Sequence, residues 1–226
     1  MPRARWLPAL AALLLGLASA PARCAPFLVP LGDTRVALEA PPGFSDTGFL
    51  GSPRIDELAQ SLTSASNHIL LFAITDADLR AFMNGDRPEL RRYMIAVTPR
   101  GLARRSVSLD EFAAFVSDAL HGLGKPPGEV DYAKYLDGRP AGQASLLAEL
   151  RTDPEVVSVL QGTRLPSQGS SDEKPRYLLS TTTLLLLRGK ALSASVYTGY
   201  GGPADLEWIK YATERWIEQL QRINRR

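Results

Sequence analysis

The sequence predicts an α/β fold of the α+β type: a largely antiparallel sheet packed by helices, with a C-terminal β-meander closed by a long amphipathic helix. Three observations predict it. Strand-like segments run up to and away from Arg188-Gly189-Lys190, with the return alternating Leu192, Ala194 and Val196 against Ser193, Ser195 and Tyr197, the pattern of a hairpin. Residues 203–223 carry Leu206, Ile209, Trp216, Ile217, Leu220 and Ile223 at helical spacing, one apolar stripe. Ile69–Ile74 and Tyr93–Val97 are unbroken apolar runs, the mark of strands covered on both faces.

The first 24 residues stand apart from that domain. Arg3 and Arg5 precede an uncharged apolar stretch from Leu7 to Ala20, followed by small residues at Ala18, Ser19, Ala20 and Ala22. This is the layout of a secretory signal peptide. The run is shorter than the roughly 20 apolar residues of a spanning helix, and it carries Pro8 and Pro21. Ala20 and Ala22 fit cleavage before Arg23, and Ala22 and Cys24 fit cleavage before Ala25. Arg23 before Cys24 argues against a lipoprotein site. The expected organisation is a signal peptide over 1–24 and a single α/β domain over 25–226.

Each element then follows in order. Thr34 to Ala40 is a strand with Val36 and Leu38 on one face, stopped by Pro41-Pro42-Gly43 ahead of Phe44. Ile55, Leu58, Ala59, Leu62 and Ala65 recur at helical spacing, with Pro53 suited to the first turn. Asp76 is placed to cap a short helix carrying Leu79, Phe82 and Met83, ended by Asn84-Gly85. Ser108-Leu109-Asp110-Glu111 is a capping box, opening a helix whose expected stripe is Leu109, Phe112, Ala113, Val116 and Leu120. After the Gly124–Gly128 turn a helical stretch is expected, broken at Gly138-Arg139-Pro140 and resumed as helix from Gln143 to Arg151. Glu155 to Leu165 reads as a strand, Pro166 to Pro175 as a polar loop, and Tyr177 to Leu187 as a long strand. Gly201, Gly202 and Pro203 open the last helix, with Asp205 and Glu207 in its first turn and Arg222, Arg225 and Arg226 at its end, as the helix dipole prefers.

Pro42-Gly43-Phe44 after a strand, the Arg188-Gly189-Lys190 hairpin and the closing helix with Trp208 and Trp216 resemble the PsbP-like α/β fold. They also resemble small exported proteobacterial proteins of unassigned role. The likeness covers the outline of the domain, and 108–151 reads as an insertion beyond that outline. The resemblance implies an accessory or binding protein rather than an enzyme.

Composition narrows the function further. With 26 Lys+Arg, 24 Asp+Glu, 45% hydrophobic residues and one cysteine, the chain is neither disordered nor a disulfide scaffold. Its sequence pI of about 8.8 owes much to the leader. Arg3, Arg5 and Arg23 lie there, and 23 basic against 24 acidic residues remain from residue 25 onward, a net of −1. No whole-chain basic field argues for nucleic acid.

No catalytic, cofactor-binding or metal-ligating set emerges, so no cofactor is expected. His68 and His121 are the only histidines, and neither has a histidine, cysteine or carboxylate at i+3 or i+4. That spacing speaks against zinc or copper. G-x-S-x-G is absent. Gly199-Tyr200-Gly201-Gly202 lacks the Walker lysine and the G-x-G-x-x-G spacing, and reads as a strand-to-helix turn. The carboxylate pairs Asp76/Asp78, Asp110/Glu111 and Asp172/Glu173 suit capping or solvation.

One segment stands out. Residues 80–105 hold Arg80, Arg87, Arg91, Arg92, Arg100, Arg104 and Arg105 against Asp86 and Glu89, a local net of +5. Arginine suits bidentate contact with carboxylate or phosphate. The plainer reading is a solvated face offset by Asp110, Glu111 and Asp118. Tyr197, Tyr200, Trp208 and Trp216 gather near the C-terminus; Trp216 suits the core, and Trp208 suits a half-buried place or a partner contact.

The expected function is that of an exported, non-enzymatic accessory or binding protein of the cell envelope, periplasmic or secreted. Its expected partner is an envelope protein or an anionic envelope component, with no nucleic acid, and with membrane contact only if the N-terminal segment is retained. The rival readings are a hydrolase with a spatially assembled Ser/His/acid site and a membrane-anchored subunit of an envelope complex.

Overall fold

The computed structural model describes residues 25–128, 131–167 and 175–225. Residues 1–24, read above as a signal peptide, and most of the Pro166–Pro175 loop lie outside the described residues.

Among the described residues, nine strands and five α-helices follow one another in the order β1 (Phe27–Leu31), β2 (Thr34–Leu38), β3 (Phe44–Asp46), α1 (Pro53–Ser61), β4 (Asn67–Thr75), α2 (Asp76–Met83), β5 (Arg92–Pro99), α3 (Leu109–Ala119), α4 (Tyr132–Asp137), β6 (Ala144–Asp153), β7 (Val156–Arg164), β8 (Tyr177–Leu187), β9 (Lys190–Tyr200) and α5 (Pro203–Asn224). Strands β1 and β2 form a hairpin of their own. The other seven make one antiparallel sheet in the order β3-β4-β5-β9-β8-β7-β6. The predicted α+β class, the meander and the closing helix are all present.

The period-two pattern of β8 and β9 decides which side each helix covers. Leu192, Ala194 and Val196 join Leu179 and Leu185 in one core with Ile209, Trp216, Ile217 and Leu220 of α5 and with Val36 and Leu38 of β2. Alternate residues face the other way. There Phe72, Ile74, Tyr93, Ile95 and Val97 pack with Ile55 and Ala59 of α1, while Leu184 and Ala191 pack with Phe112 of α3. The continuous apolar runs of β4 and β5 are thus buried on both faces, as parity requires.

Close approach dictates glycine at two positions. A Cβ on Gly162 of β7 would stand 2.8 Å from methyls of Leu136 and Leu147. At Gly32, with φ +64°, it would stand 2.5 Å from the carbonyl oxygen of Arg104. The same corner holds Lys190, which is 1% exposed. Its ammonium donates to the Arg105 carbonyl at 3.0 Å and lies 3.6 Å from Asp33. Lys190 therefore starts the returning strand as a buried pin rather than standing in the turn.

Four expectations are corrected. Residues 143–151 are not helix but lie within or beside β6, paired with β7 through two register shifts. Asp76 does not cap α2: the cap is Thr75, whose hydroxyl oxygen accepts the Asp78 N–H at 3.1 Å. Leu109 and Ala113 are exposed, so the buried side of α3 rests on Phe112, with Phe115, Val116 and Leu120 half-buried. Strands β1 and β3, absent from the sequence reading, are a short hairpin arm and a three-residue edge.

Candidate functional site

Helix α2 stands as a wall between two open clefts. Its sequence DADLRAFM puts Asp76, Leu79, Arg80 and Met83 on one side, and Ala77, Asp78 and Ala81 on the other, as a 3.6-residue period requires. The first cleft, about 680 Å³, runs between α2 and α5 over the 39–45 segment. Phe44, Leu79 and Met83 give it apolar surface, and Arg80, Arg222 and Glu218 charge its rim. Met83 is 67% exposed there. The Ser45 hydroxyl donates to Asp76 at 2.7 Å and closes one end.

The second cleft, about 600 Å³, is lined by Thr75, Ala77, Asp78 and Ala81 of α2 and by Arg87, Glu89, Arg91 and Arg92. Asp78 holds its loop in place. One carboxylate oxygen accepts the Thr75 hydroxyl at 2.8 Å and the other accepts the Glu89 N–H at 2.8 Å. Leu90, between them and β5, has φ +51°, a left-handed conformation that costs a non-glycine residue roughly 1–2 kcal/mol. That turn carries the chain from Glu89 to the paired arginines Arg91 and Arg92.

Asp205, in the first turn of α5, is the hub beside this cleft. Its carboxylate accepts Arg92 Nη2 at 3.1 Å and the Gly201 N–H at 3.0 Å, and lies 3.8 Å from Arg91. The Arg92 guanidinium carbon sits 4.1 Å from the Trp208 ring centroid, and Trp208 meets Phe44 at 6.2 Å. Arg92 is thus held by a charge pair and a cation–π contact together. Its Nε is buried with no hydrogen-bond acceptor among the described residues. Burial, and then the charge of Asp131, Tyr132 and Asp205, raises the Tyr200 phenol above its ordinary range.

The arginine run is divided by the fold. Arg87, Arg91 and Arg92 stand at one end of β5, and Arg100, Arg104 and Arg105 follow its other end. From Arg92, the first residue of β5, to Arg100, the one after its last, is eight steps along the strand, about 26 Å at 3.3 Å each. Of the expected offsets, Glu111 pairs with Arg105. Asp205, 113 residues from Arg92, is the offset that sequence reasoning missed; its first-turn position showed only a helix-dipole role. Trp208 is half-buried, between Phe44 and Arg92.

The remaining candidates stay apart. His68 on β4 and His121 beyond α3 are both exposed, and among the described residues neither is hydrogen-bonded to a serine or a carboxylate. Among those residues no cluster of three His, Cys, Asp or Glu side chains could hold a metal. Asp110 and Glu111 open α3, where Glu111 completes the capping box with Ser108. Asp172, Glu173 and Cys24 lie outside the described residues. No described helix is long and apolar enough to cross a membrane.

No protein-family model matches the chain, and no curated protein matches it. Among solved structures it is similar to the Saccharomyces cerevisiae Ran-binding protein Mog1p, at 14% identity over 88% of this chain and 94% of that one, with a TM-score of 0.41. A substitution mutant of Mog1 matches over the same shares at 14% identity, with a TM-score of 0.40.

Proposed function

We propose that the chain is an exported accessory or binding protein of the cell envelope, and that it binds its partner through the clefts flanking α2. The observation that carries the binding reading is this pair of open, mixed apolar and charged clefts on one short helix. Sites with apolar walls and a few placed polar groups are the common form of ligand pockets. The export reading rests on the charged, apolar and small-residue succession of residues 1–24. The PsbP-like outline of the sequence is in keeping with an accessory role. The histidines give the rival hydrolase reading no geometric support, since a triad needs nucleophile, base and orienting acid within hydrogen-bond reach.

Fractionation of cells making the full-length sequence, followed by N-terminal sequencing, tests the compartment. The expected product is a soluble envelope protein beginning between about residue 21 and residue 25. An intact Met1 on membrane-bound protein would instead support the anchored subunit, and an intact Met1 in the cytosol would remove export altogether.

A further inference from the structure

The second cleft brings three arginines of one segment, Arg87, Arg91 and Arg92, to a single opening of about 600 Å³. The carboxylates nearest them are largely committed. Both oxygens of Asp78 accept protein donors, the Thr75 hydroxyl and the Glu89 N–H. Both oxygens of Asp205 do so too, from Arg92 and from the Gly201 N–H. Glu89 is the one acid of the lining whose side chain has no partner among the described residues. Arg87 also has none there, and Arg91, 66% exposed, has only the 3.8 Å contact to Asp205.

Arg92 differs from its neighbours because it cannot move freely. Trp208 covers one face of its guanidinium and Asp205 takes one of its forks, while its Nε remains a donor without an acceptor among the described residues. Such orphan donors are uncommon in folded proteins, and this one is closed off from solvent, so the rest of the guanidinium is what Arg92 offers to the cleft. A held arginine beside two exposed ones is a preorganised anchor with arms free to reach a ligand. The dipole of α2 adds nothing for an anion, since Asp76 and Asp78 already occupy its first turn.

We propose that this cleft is a phosphate site, with Arg92 as the fixed anchor and Arg87 and Arg91 closing on the outer oxygens. A phosphate presents more acceptor oxygens than a carboxylate, and three guanidinium groups match that number. The same chemistry is offered by free phosphate and by a phospholipid head group. The inference deepens the binding reading by naming the ligand class of one cleft, and it is measured in vitro, so it stands or falls independently of export.

The test is calorimetric titration, at low ionic strength, of protein made from the full-length sequence. The probes are inorganic phosphate, acetate, and vesicles of phosphatidylglycerol compared with phosphatidylcholine. Saturable 1:1 phosphate binding is expected, with acetate at least tenfold weaker. Arg87→Ala and Arg91→Ala, both at exposed positions, should each weaken phosphate about tenfold, the usual size of a lost charge-assisted pair. Arg100→Ala, beyond the other end of β5, should change nothing. Vesicle binding that the same two variants reduce assigns the phosphate to a lipid; phosphate binding without vesicle binding assigns it to a soluble molecule. Both outcomes support the site. No saturable binding of either probe overturns it, and so does an Arg100→Ala effect equal to that of Arg91→Ala, or vesicle binding indifferent to Arg87 and Arg91.

Discussion

Trp216 ties the last helix to the start of the domain. It is 2% exposed, and its indole N–H donates to the Glu39 carbonyl at 3.0 Å. Truncating a buried aromatic costs roughly 3–5 kcal/mol, so Trp216→Ala should lower Tm by about 10 °C in thermal melts. Arg104→Ala, at an exposed side chain, should leave Tm within a degree or two of the parent, since surface changes usually stay within about 0.5 kcal/mol. Asp46 behaves oppositely to a stabilising acid. Burial raises its pKa above 3.8, and backbone hydrogen bonds from Gly48, Phe72 and Thr47 only partly oppose this. The native state therefore holds the proton more tightly than the unfolded chain, and stability falls as pH rises from about 4 through the raised pKa. Asp46→Asn should melt higher than the parent at pH 7, and the gap should close as the pH approaches 4.

Among the elements, those with undisturbed periodicity were the legible ones. The β8–β9 hairpin keeps alternation over a continuous eleven-pair ladder without a register shift, and α5 keeps its stripe over 22 residues. Strand β6 reads as helix in the sequence because LLAEL, residues 146–150, is rich in helix formers, and two register shifts, at Leu146/Ala148 and Glu149/Arg151, erase its alternation. Pairing with β7 overrode propensity. The same irregularities, with Glu149, Arg151 and Asp153, suit an outer strand that must not recruit another sheet. Strand β1 leaves no clear trace in the sequence because Pro30 interrupts its pattern and it runs for only five residues. The β1–β2 hairpin is also held by a side chain: Asn224 accepts the Ala37 N–H at 2.9 Å and donates to the Ala37 carbonyl at 2.8 Å, standing in for a neighbouring strand. Asn224→Ala leaves both groups without a partner, a loss of about 1–3 kcal/mol. Faster hydrogen exchange at the Ala37 amide is the measurement, with the β8–β9 amides unchanged.

At the scale of the whole molecule, the sheet was readable but the clefts were not. The arginines were visible as a run, yet only the fold splits them about β5 and brings Asp205 and Trp208 to one group. Contacts across more than a hundred residues leave no periodic trace. The alkaline limit of the molecule is likewise a property of assembled parts. Burial raises the Tyr177 phenol to about 12, helped by its hydrogen bond to Asp137. Burial, with Tyr197 stacked 4.4 Å away, raises Tyr93 further still. These pKa values lie above the ordinary 10.0 of tyrosine, so the stability they contribute is complete below pH 10. It is lost as pH rises through the folded values. Circular dichroism and phenolate absorbance should report cooperative unfolding in that range, and Tyr177→Phe should make the loss shallower.

The clasp of Asn224 on Ala37 joins positions 187 residues apart. A ribosome adding about 5–20 residues per second needs roughly 10–40 s to travel from one to the other. Throughout that interval the β1–β2 arm has emerged while the helix that completes it does not yet exist. The nascent chain consequently cannot close its main core before α5 has been made. If the proposed export holds, such lateness keeps the polypeptide threadable through a translocation pore until the last turn of α5 has been made.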